Sequence, residues 1–294
     1  LSDYSHRYHA GNHGDVFKHA ALLACLAPLT AAGAPPLTCV DTHAGEGHYR
    51  LGSTGEWTEG IGRLDAAGPA SSPALTGLTK ALARAGAATR MPNRGGEYPG
   101  SPRLMHGALR PGDTLVAFER DPVAASALAR VLGPSDAARA RTGDGFAGLA
   151  TLAAAPSGGR RLFVHVDPPY TDKAEWSQVV DALATLVAAR PDAGALLWYP
   201  IKSLTRPNVL HAALRARGVG AAVVELHVTP QEIKRNALHG SGVVLVGVAP
   251  AVVEQISALA AALGPLLATH DGRWWTRTLG WSPASTPAPG VAPG

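Results

Sequence analysis

Short apolar runs bounded by glycine, proline or charge recur along the chain at 36–40, 114–118, 162–166, 195–199, 221–228 and 242–248, each of a length suited to a buried strand. Between most of them lie segments whose apolar residues repeat at helical spacing, as at 122–132, 178–189 and 209–216. Strands alternating with helices predict a doubly wound α/β sheet, because each strand then has a helix to cover it. The last two runs break the alternation. The polar stretch 229–241 between them offers no apolar helix face, so they are expected to pair antiparallel at one edge of the sheet.

The stretch 53–98 falls where such a fold needs only a crossover helix, yet it holds several short helix-like pieces. In one, Leu75, Leu78 and Leu82 share a face opposite Lys80 and Arg84. It reads as a helical insertion over the active-site edge. The chain then divides into an N-terminal segment with the first strand (1–52), the insertion (53–98), the rest of the sheet domain (99–281) and a tail of Pro, Ala, Gly and Ser (282–294) expected to be disordered. Near the start, a helix is expected to begin at Asp15 as N-cap and to run through Val16, Ala20, Leu23 and Ala27.

Length and composition narrow the class. The 294 residues suit either one large α/β domain with an insertion or two domains, and 46% hydrophobic against 16% charged residues excludes a disordered chain. Gly, Pro, Arg or Asp interrupts each apolar run short of a membrane span, and the His-rich N-terminus lacks the apolar stretch of a signal peptide. A soluble cytoplasmic protein is expected. Cys25 and Cys39 fall in a predicted helix and a predicted strand, as small core residues rather than a disulfide or metal pair. A formal charge of +4 is compatible with a polyanionic partner without requiring one.

The chemistry enters at Asp167-Pro168-Pro169-Tyr170, directly after the run at 162–166. An acid, two prolines and an aromatic at the carboxyl end of a buried strand suit an enzyme that methylates an exocyclic amine on a flat ring. The adenine amine is a poor nucleophile because its lone pair is delocalised, so strong acceptors must hold its N–H groups. Asp167 supplies one and the Pro168 carbonyl another, while Tyr170 is placed to stack on the base.

Ligands of open α/β sheets bind beyond the carboxyl ends of the strands. There the chain has Asp41-Thr42-His43-Ala44-Gly45-Glu46-Gly47, then Glu119 for ribose hydroxyls, then Gly143-Asp144-Gly145-Phe146, with a carboxylate for an adenine amine and an apolar wall for its ring. Singly, each equally suits a tight turn or a solvated carboxylate. Their order, ending in Asp-Pro-Pro-Tyr, points to S-adenosylmethionine, and the antiparallel closing strand is usual in enzymes that use it. A nicotinamide-dinucleotide fold fits less well, since the full Gly-x-Gly-x-x-Gly spacing is absent after Val40. His9 and His13 stand four apart near the N-terminus, but Gly11 and Gly14 argue against a helix there and no Cys or clustered carboxylates complete a tetrahedral site, so no metal is expected.

The block from Tyr4 to His19, Tyr-Ser-His-Arg-Tyr-His-Ala-Gly-Asn-His-Gly-Asp-Val-Phe-Lys-His, resembles the N-terminal signature of the bacterial RlmJ family. Asp41 to Gly47, Tyr98-Pro99-Gly100-Ser101-Pro102, Gly143 to Phe146, Asp167 to Tyr170 and Leu197-Trp198-Tyr199-Pro200 are similar to its later blocks. The resemblance implies a Rossmann-like class I methyltransferase fold with a small helical insertion, acting with S-adenosylmethionine on the N6 amine of one adenine in 23S ribosomal RNA. It also implies that His19, His43, Ser101, Glu119, Asp144, Gly145 and Asp167 contact the cofactor, that Asp167 is the catalytic proton acceptor, and that Tyr4 works near the RNA. Arg7 and Lys18, with Lys80, Arg84, Arg90 and Arg94 of the insertion, are expected to meet RNA phosphates, and the protein is expected to act as a monomer. Where the family tends to end its last strand with Asn-Pro-Pro-Trp, this chain has Val248-Ala249-Pro250-Ala251.

Two rivals remain at this point. A DNA adenine or cytosine amino methyltransferase uses the same tetrapeptide but usually carries a sizeable target-recognition domain, and the insertion here has fewer than about fifty residues. A catalytically silent RNA-binding protein on this fold would not need Asp167, Tyr170 and Asp144 intact.

Overall fold

In the computed structural model, which describes residues 6–67, 73–84, 96–230, 232, 237–269 and 272–283, the apolar runs become strands at the expected places. In chain order the elements are α1 (His6–His9), α2 (His13–Leu29), β1 (Leu37–Asp41), β2 (His48–Arg50), a 3-10 turn (Glu56–Glu59), α3 (Ile61–Ala67), α4 (Pro73–Arg84) and β3 (Glu97–Pro99). Then come α5 (Ser101–Ala108), β4 (Thr114–Glu119), α6 (Pro122–Leu132), β5 (Ala138–Thr142), α7 (Gly145–Ala154), β6 (Arg161–Val166) and α8 (Glu175–Ala189). The last third holds β7 (Gly194–Ile201), α9 (Thr205–Ala216), β8 (Ala221–His227), β9 (Gly240–Val246), α10 (Pro250–Leu267) and β10 (Trp275–Trp281).

The main sheet has the order β10-β8-β9-β7-β6-β1-β4-β5. β5, β4, β1, β6 and β7 run parallel, and β9 enters antiparallel between β7 and β8. This is the class I methyltransferase arrangement. The antiparallel pair is present, but it is not the sheet edge: β10 continues antiparallel beyond β8, so β8 and β9 are both interior. Two strands escaped the sequence pattern for one reason. β5 reads Ala-Arg-Ala-Arg-Thr, with Arg139 and Arg141 exposed, and β10 reads Trp-Thr-Arg-Thr-Leu-Gly-Trp. Each edge strand is interrupted by polar residues, in strict alternation in β5 and as Thr-Arg-Thr in β10, and so shows no continuous apolar run.

α2, α5, α6 and α10 cover one face of the sheet and α7, α8 and α9 the other. α10 is long and apolar enough to cross a membrane, 18 residues at mean hydropathy 1.4, which corrects the expectation that no stretch approaches that length. Here Val252, Ile256, Leu259 and Leu263 of α10 are core residues, and the helix packs on α2 and β8. The departure at Val248-Ala249-Pro250-Ala251 is its start: Pro250 takes the first helical turn, where a missing N–H costs nothing.

In the segment 53–98, β3 pairs with β2 and closes the base of the excursion. Leu75, Leu78 and Leu82 are buried, and α4 packs on α10, α2 and α5. Its polar face, with Lys80 and Arg84, is exposed. The tail from 284 onward lies outside the described residues.

Candidate active site

The N-terminal block folds into a capped helix start rather than a metal loop. Asn12, not Asp15, is the N-cap of α2: its Oδ1 accepts the Asp15 amide at 2.9 Å, while Asp15 Oδ2 accepts the Gly11 amide at 2.9 Å. The two side chains thus satisfy orphan amides reciprocally, as in a capping box. The glycines did not prevent the helix, since Gly14 lies inside it. His9 and His13 end in different helices, with His13 Nε2 3.1 Å from the Leu238 carbonyl and His9 Nδ1 3.0 Å from Glu56 Oε2. Asn12 Nδ2 also donates to Glu56 Oε2 (2.9 Å), and the Gly11 carbonyl accepts the Ile61 amide, so this block is fastened to the start of the insertion.

One turn into α2 stands Lys18. Its ammonium is 2.7 Å from Asp15 Oδ1 and 2.5 Å from Asp167 Oδ2, and its side chain is only 5% exposed. Burial alone would depress its pKa, but the two carboxylates raise it well above the ordinary lysine value, so the ammonium keeps its charge. The expected role of Lys18 at an RNA phosphate is therefore corrected: its charge is committed inside the protein. Asp167 is correspondingly not a free strand-end carboxylate. Lys18 holds Oδ2, and Oδ1 has no hydrogen-bond partner among the described residues.

Asp167 and Pro168 line a cleft of about 1180 Å³ that runs along the carboxyl ends of β1, β4, β5, β6 and β7. Tyr170 does not line it. With φ at 53°, in the left-handed region, its ring packs on Trp176 at 4.5 Å and its hydroxyl donates to the Trp198 carbonyl at 2.8 Å. The surface expected to stack on the base is thus turned against the protein, where it braces the turn that carries Asp167.

The expected cofactor residues do converge on this cleft: His19, His43, Ser101, Glu119, Asp144, Gly145 and Asp167 all line it. Glu119, at the end of β4, accepts the Gly45 amide on Oε2 (2.9 Å) and the Asp121 amide on Oε1 (2.8 Å), which fixes the carboxylate and leaves lone pairs for hydroxyl donors. Asp144 is the N-cap of α7, its Oδ1 accepting the Ala147 amide at 2.9 Å. Gly145 is required by packing, since a Cβ there would lie 1.9 Å from the Thr42 carbonyl oxygen. Gly45 has φ 59° and turns the chain after β1 against the Tyr49 hydroxyl.

His19 is buried, with Nδ1 2.8 Å from the Tyr98 hydroxyl. Burial and the neighbouring Lys18 charge hold its pKa well below the imidazole range, so the ring is neutral. His43 is also held below that range by burial, and it meets Phe146 edge-on at 4.9 Å. Beneath them lies a pair that sequence reasoning passed over: fully buried Asp41, with its Oδ1 3.5 Å from His165 Nδ1. Burial alone would raise Asp41, but His165, the Ser101 hydroxyl and the His43 amide lower it.

The fit to S-adenosylmethionine can be judged from unspent groups. His19 Nε2 and Trp198 Nε1 are buried polar atoms without partners among the described residues, and both residues line the cleft. Together with fixed Glu119, they suit a ligand rich in donors and acceptors. Among the described residues no group of three or more His, Cys, Asp or Glu side chains could hold a metal ion. Tyr4, Arg90 and Arg94 lie outside the described residues, as does the side chain of Arg7, and neither Lys80 nor Arg84 lines the cleft. The residues missed were Asp15, Trp198, Tyr8 and Lys202. Asp15, Tyr8 and Trp198 stand inside the blocks that carry the resemblance without an assigned role at the site, and Asp15 also has helical i,i+3 spacing to Lys18; Lys202 stands outside those blocks.

A family model described as ribosomal RNA large subunit methyltransferase D, RlmJ, matches residues 34–281. The chain is 32% identical over 254 residues to the ribosomal RNA large subunit methyltransferase J of Escherichia coli, covering 84% of this chain and 87% of that one. It is 31% identical over 257 residues to the protein of the same name from Haemophilus influenzae, with the same shares covered. A crystal structure of a Legionella pneumophila protein shares the fold at TM-score 0.81 and 23% identity, over 94% of this chain and 99% of that one.

Proposed function

The chain belongs to the RlmJ family of ribosomal RNA large-subunit methyltransferases, and from that premise we propose that it methylates the N6 amine of one adenine in 23S ribosomal RNA. The observation that carries this reading is Asp167: one oxygen fixed by Lys18, the other free on the cleft wall beside Pro168. When bound, S-adenosylmethionine supplies a methyl group already activated by its sulfonium. His19, His43, Ser101, Glu119, Asp144 and Gly145 would hold it, with Glu119 taking the ribose hydroxyls.

Asp167 Oδ1 accepts one N–H of the amine and the Pro168 carbonyl the other, which favours the pyramidal nitrogen that methylation requires. Lys18 keeps Asp167 from rotating, so the acceptor is in place before the base arrives. The new C–N bond would form at the expense of the methyl–sulfur bond, whose electron pair would stay with the departing thioether, and the excess proton passes from nitrogen to Asp167 Oδ1. Tyr170 acts as a positioning residue, through its bond to Trp198. One chain supplies every residue named, so a monomer suffices, and the work of such an enzyme lies in the cytoplasm, on naked RNA or an early precursor particle.

Mapping N6-methyladenine in 23S ribosomal RNA from cells with and without this gene tests the proposal. One adenine should lose its methyl group in the deletion and regain it on complementation. An unchanged map overturns it, and methylated DNA adenine or cytosine lost instead would favour the DNA enzyme.

A further inference from the structure

Resting on that reading, an RNA must lay its chain across the mouth of the cleft, yet Lys18 is internal and α4 faces α10. The loops after β6 and β7 and the first turn of α9 carry the exposed cations Lys173, Lys202 and Arg206 instead, and none of the three has a carboxylate partner among the described residues. Lys202 lines the cleft itself. Arg206 lies with its guanidinium carbon 5.9 Å from the Trp176 ring centroid, and Trp176 in turn packs on Tyr170, so this charge sits directly behind the Asp-Pro-Pro-Tyr turn. Across the mouth, Tyr8 also lines the cleft, is 54% exposed, and meets His9 edge-on at 5.5 Å. Lys202 and His9 both line the cleft, and the Lys202 charge opposes protonation of His9.

A base whose amine reaches Asp167 has left any duplex, because its amine would otherwise be paired. The strand beside it is then single, and single strands are held by aromatic platforms for bases and cations for phosphates. We infer that Tyr8, Lys202 and Arg206 grip the single-stranded RNA flanking the target adenine, Tyr8 stacking on a neighbouring base and the two cations holding phosphates. A protein partner would instead place carboxylates or an apolar patch against these groups, and its binding would not follow the salt law of a polyanion.

The test uses the full chain and an unmodified transcript of 23S ribosomal RNA, with dissociation constants measured at several salt concentrations. Lys202→Gln with Arg206→Gln should weaken binding and flatten the log–log salt slope by about 0.7 for each lost contact. Tyr8→Ala should weaken binding about 5- to 100-fold with little change in slope. Arg130→Gln with Arg139→Gln, exposed in the last turn of α6 and near the amino end of β5, removes the same charge at the end of the strands opposite the cleft and should change neither quantity. S-adenosylmethionine affinity, read by calorimetry, should be the same in all variants. Unchanged affinity and slope in the Lys202/Arg206 variant, or an equal loss in the Arg130/Arg139 variant, overturns the grip while the function stands. A wild-type protein that transfers no methyl group to the transcript overturns the function and the grip with it.

Discussion

Glu225 on β8 and Asp167 after β6 are both carboxylates sunk in the protein against a cation, yet they leave opposite things open. Glu225 is fully buried and filled: Tyr199 Oη donates at 2.7 Å, Arg277 donates through Nε at 2.7 Å and Nη2 at 2.8 Å, and His227 Nε2 lies at 3.2 Å. Burial would raise its pKa, but the bonds from His227, Arg277 and Tyr199 bring it down from 4.5 to about 2. This cluster bolts β10 onto β8 and touches no ligand cleft. Asp167 has one oxygen spent on Lys18 and the other at the cleft. A buried charge therefore marks structure as readily as chemistry, and the unspent acceptor facing a cavity distinguishes the two.

The largest effect separates them directly. Asp167→Asn should cost at least about a hundredfold in methyl transfer, because a neutral amide cannot take the proton. The substitution also leaves Lys18 with Asp15 alone, so some stability is lost with it. Glu225→Gln should instead cost roughly 3 kcal/mol of stability, by stranding the Arg277 guanidinium against a neutral group, while rate per folded molecule stays near wild type. Single-turnover transfer and urea denaturation on both variants read this out. A catalytic loss in Glu225→Gln matching that of Asp167→Asn would erase the distinction.

The acid limb of stability sharpens it. A carboxylate whose folded pKa is lowered contributes stability that is present above its unfolded value and lost as pH falls through the folded one. For Glu225 that window runs from about 4.5 down to about 2. Urea midpoints should therefore fall between pH 5 and 2, and fall less steeply in Glu225→Gln. Parallel slopes in both proteins would move the acid sensitivity to other carboxylates.

The same contrast explains what could be read from sequence. Parallel strands announce themselves because both faces are covered and the run is all apolar, as at 162–166. β5 and β10, one at each edge, lack that signature. At the site, the acidic residues at the strand ends, Glu119, Asp144 and Asp167, were placed at the cleft, since topology alone puts strand ends together. What stayed hidden was orientation. Nothing in the sequence tells that Lys18 points inward to Asp167, that Tyr170 turns against Trp176, or that Arg277 reaches Glu225 across a strand pair. The first and last are long-range contacts and the second a local one, and all three are fixed by packing rather than by spacing.

The smallest effect belongs to an exposed counterpart of both clusters, His9 with Glu56. Its side chains are 35% and 36% exposed, at 3.0 Å, so solvent screens the pair and it contributes at most about 0.5 kcal/mol. Donating its ring N–H to the Glu56 carboxylate raises His9 above 6.5 against the opposing effect of burial, with Asp15 helping and Lys202 opposing. A raised histidine contributes stability that is fully present below its unfolded pKa and lost as pH rises through the folded one. The grip of the N-terminal block on the insertion should thus loosen slightly between pH 6 and 8. Glu56→Gln can still accept from Asn12 but cannot favour the imidazolium. Relative to wild type it should lower the melting temperature more at pH 6 than at pH 8. An equal decrement at both pH values would mean that His9 stays neutral and that Asn12 alone ties Glu56 down.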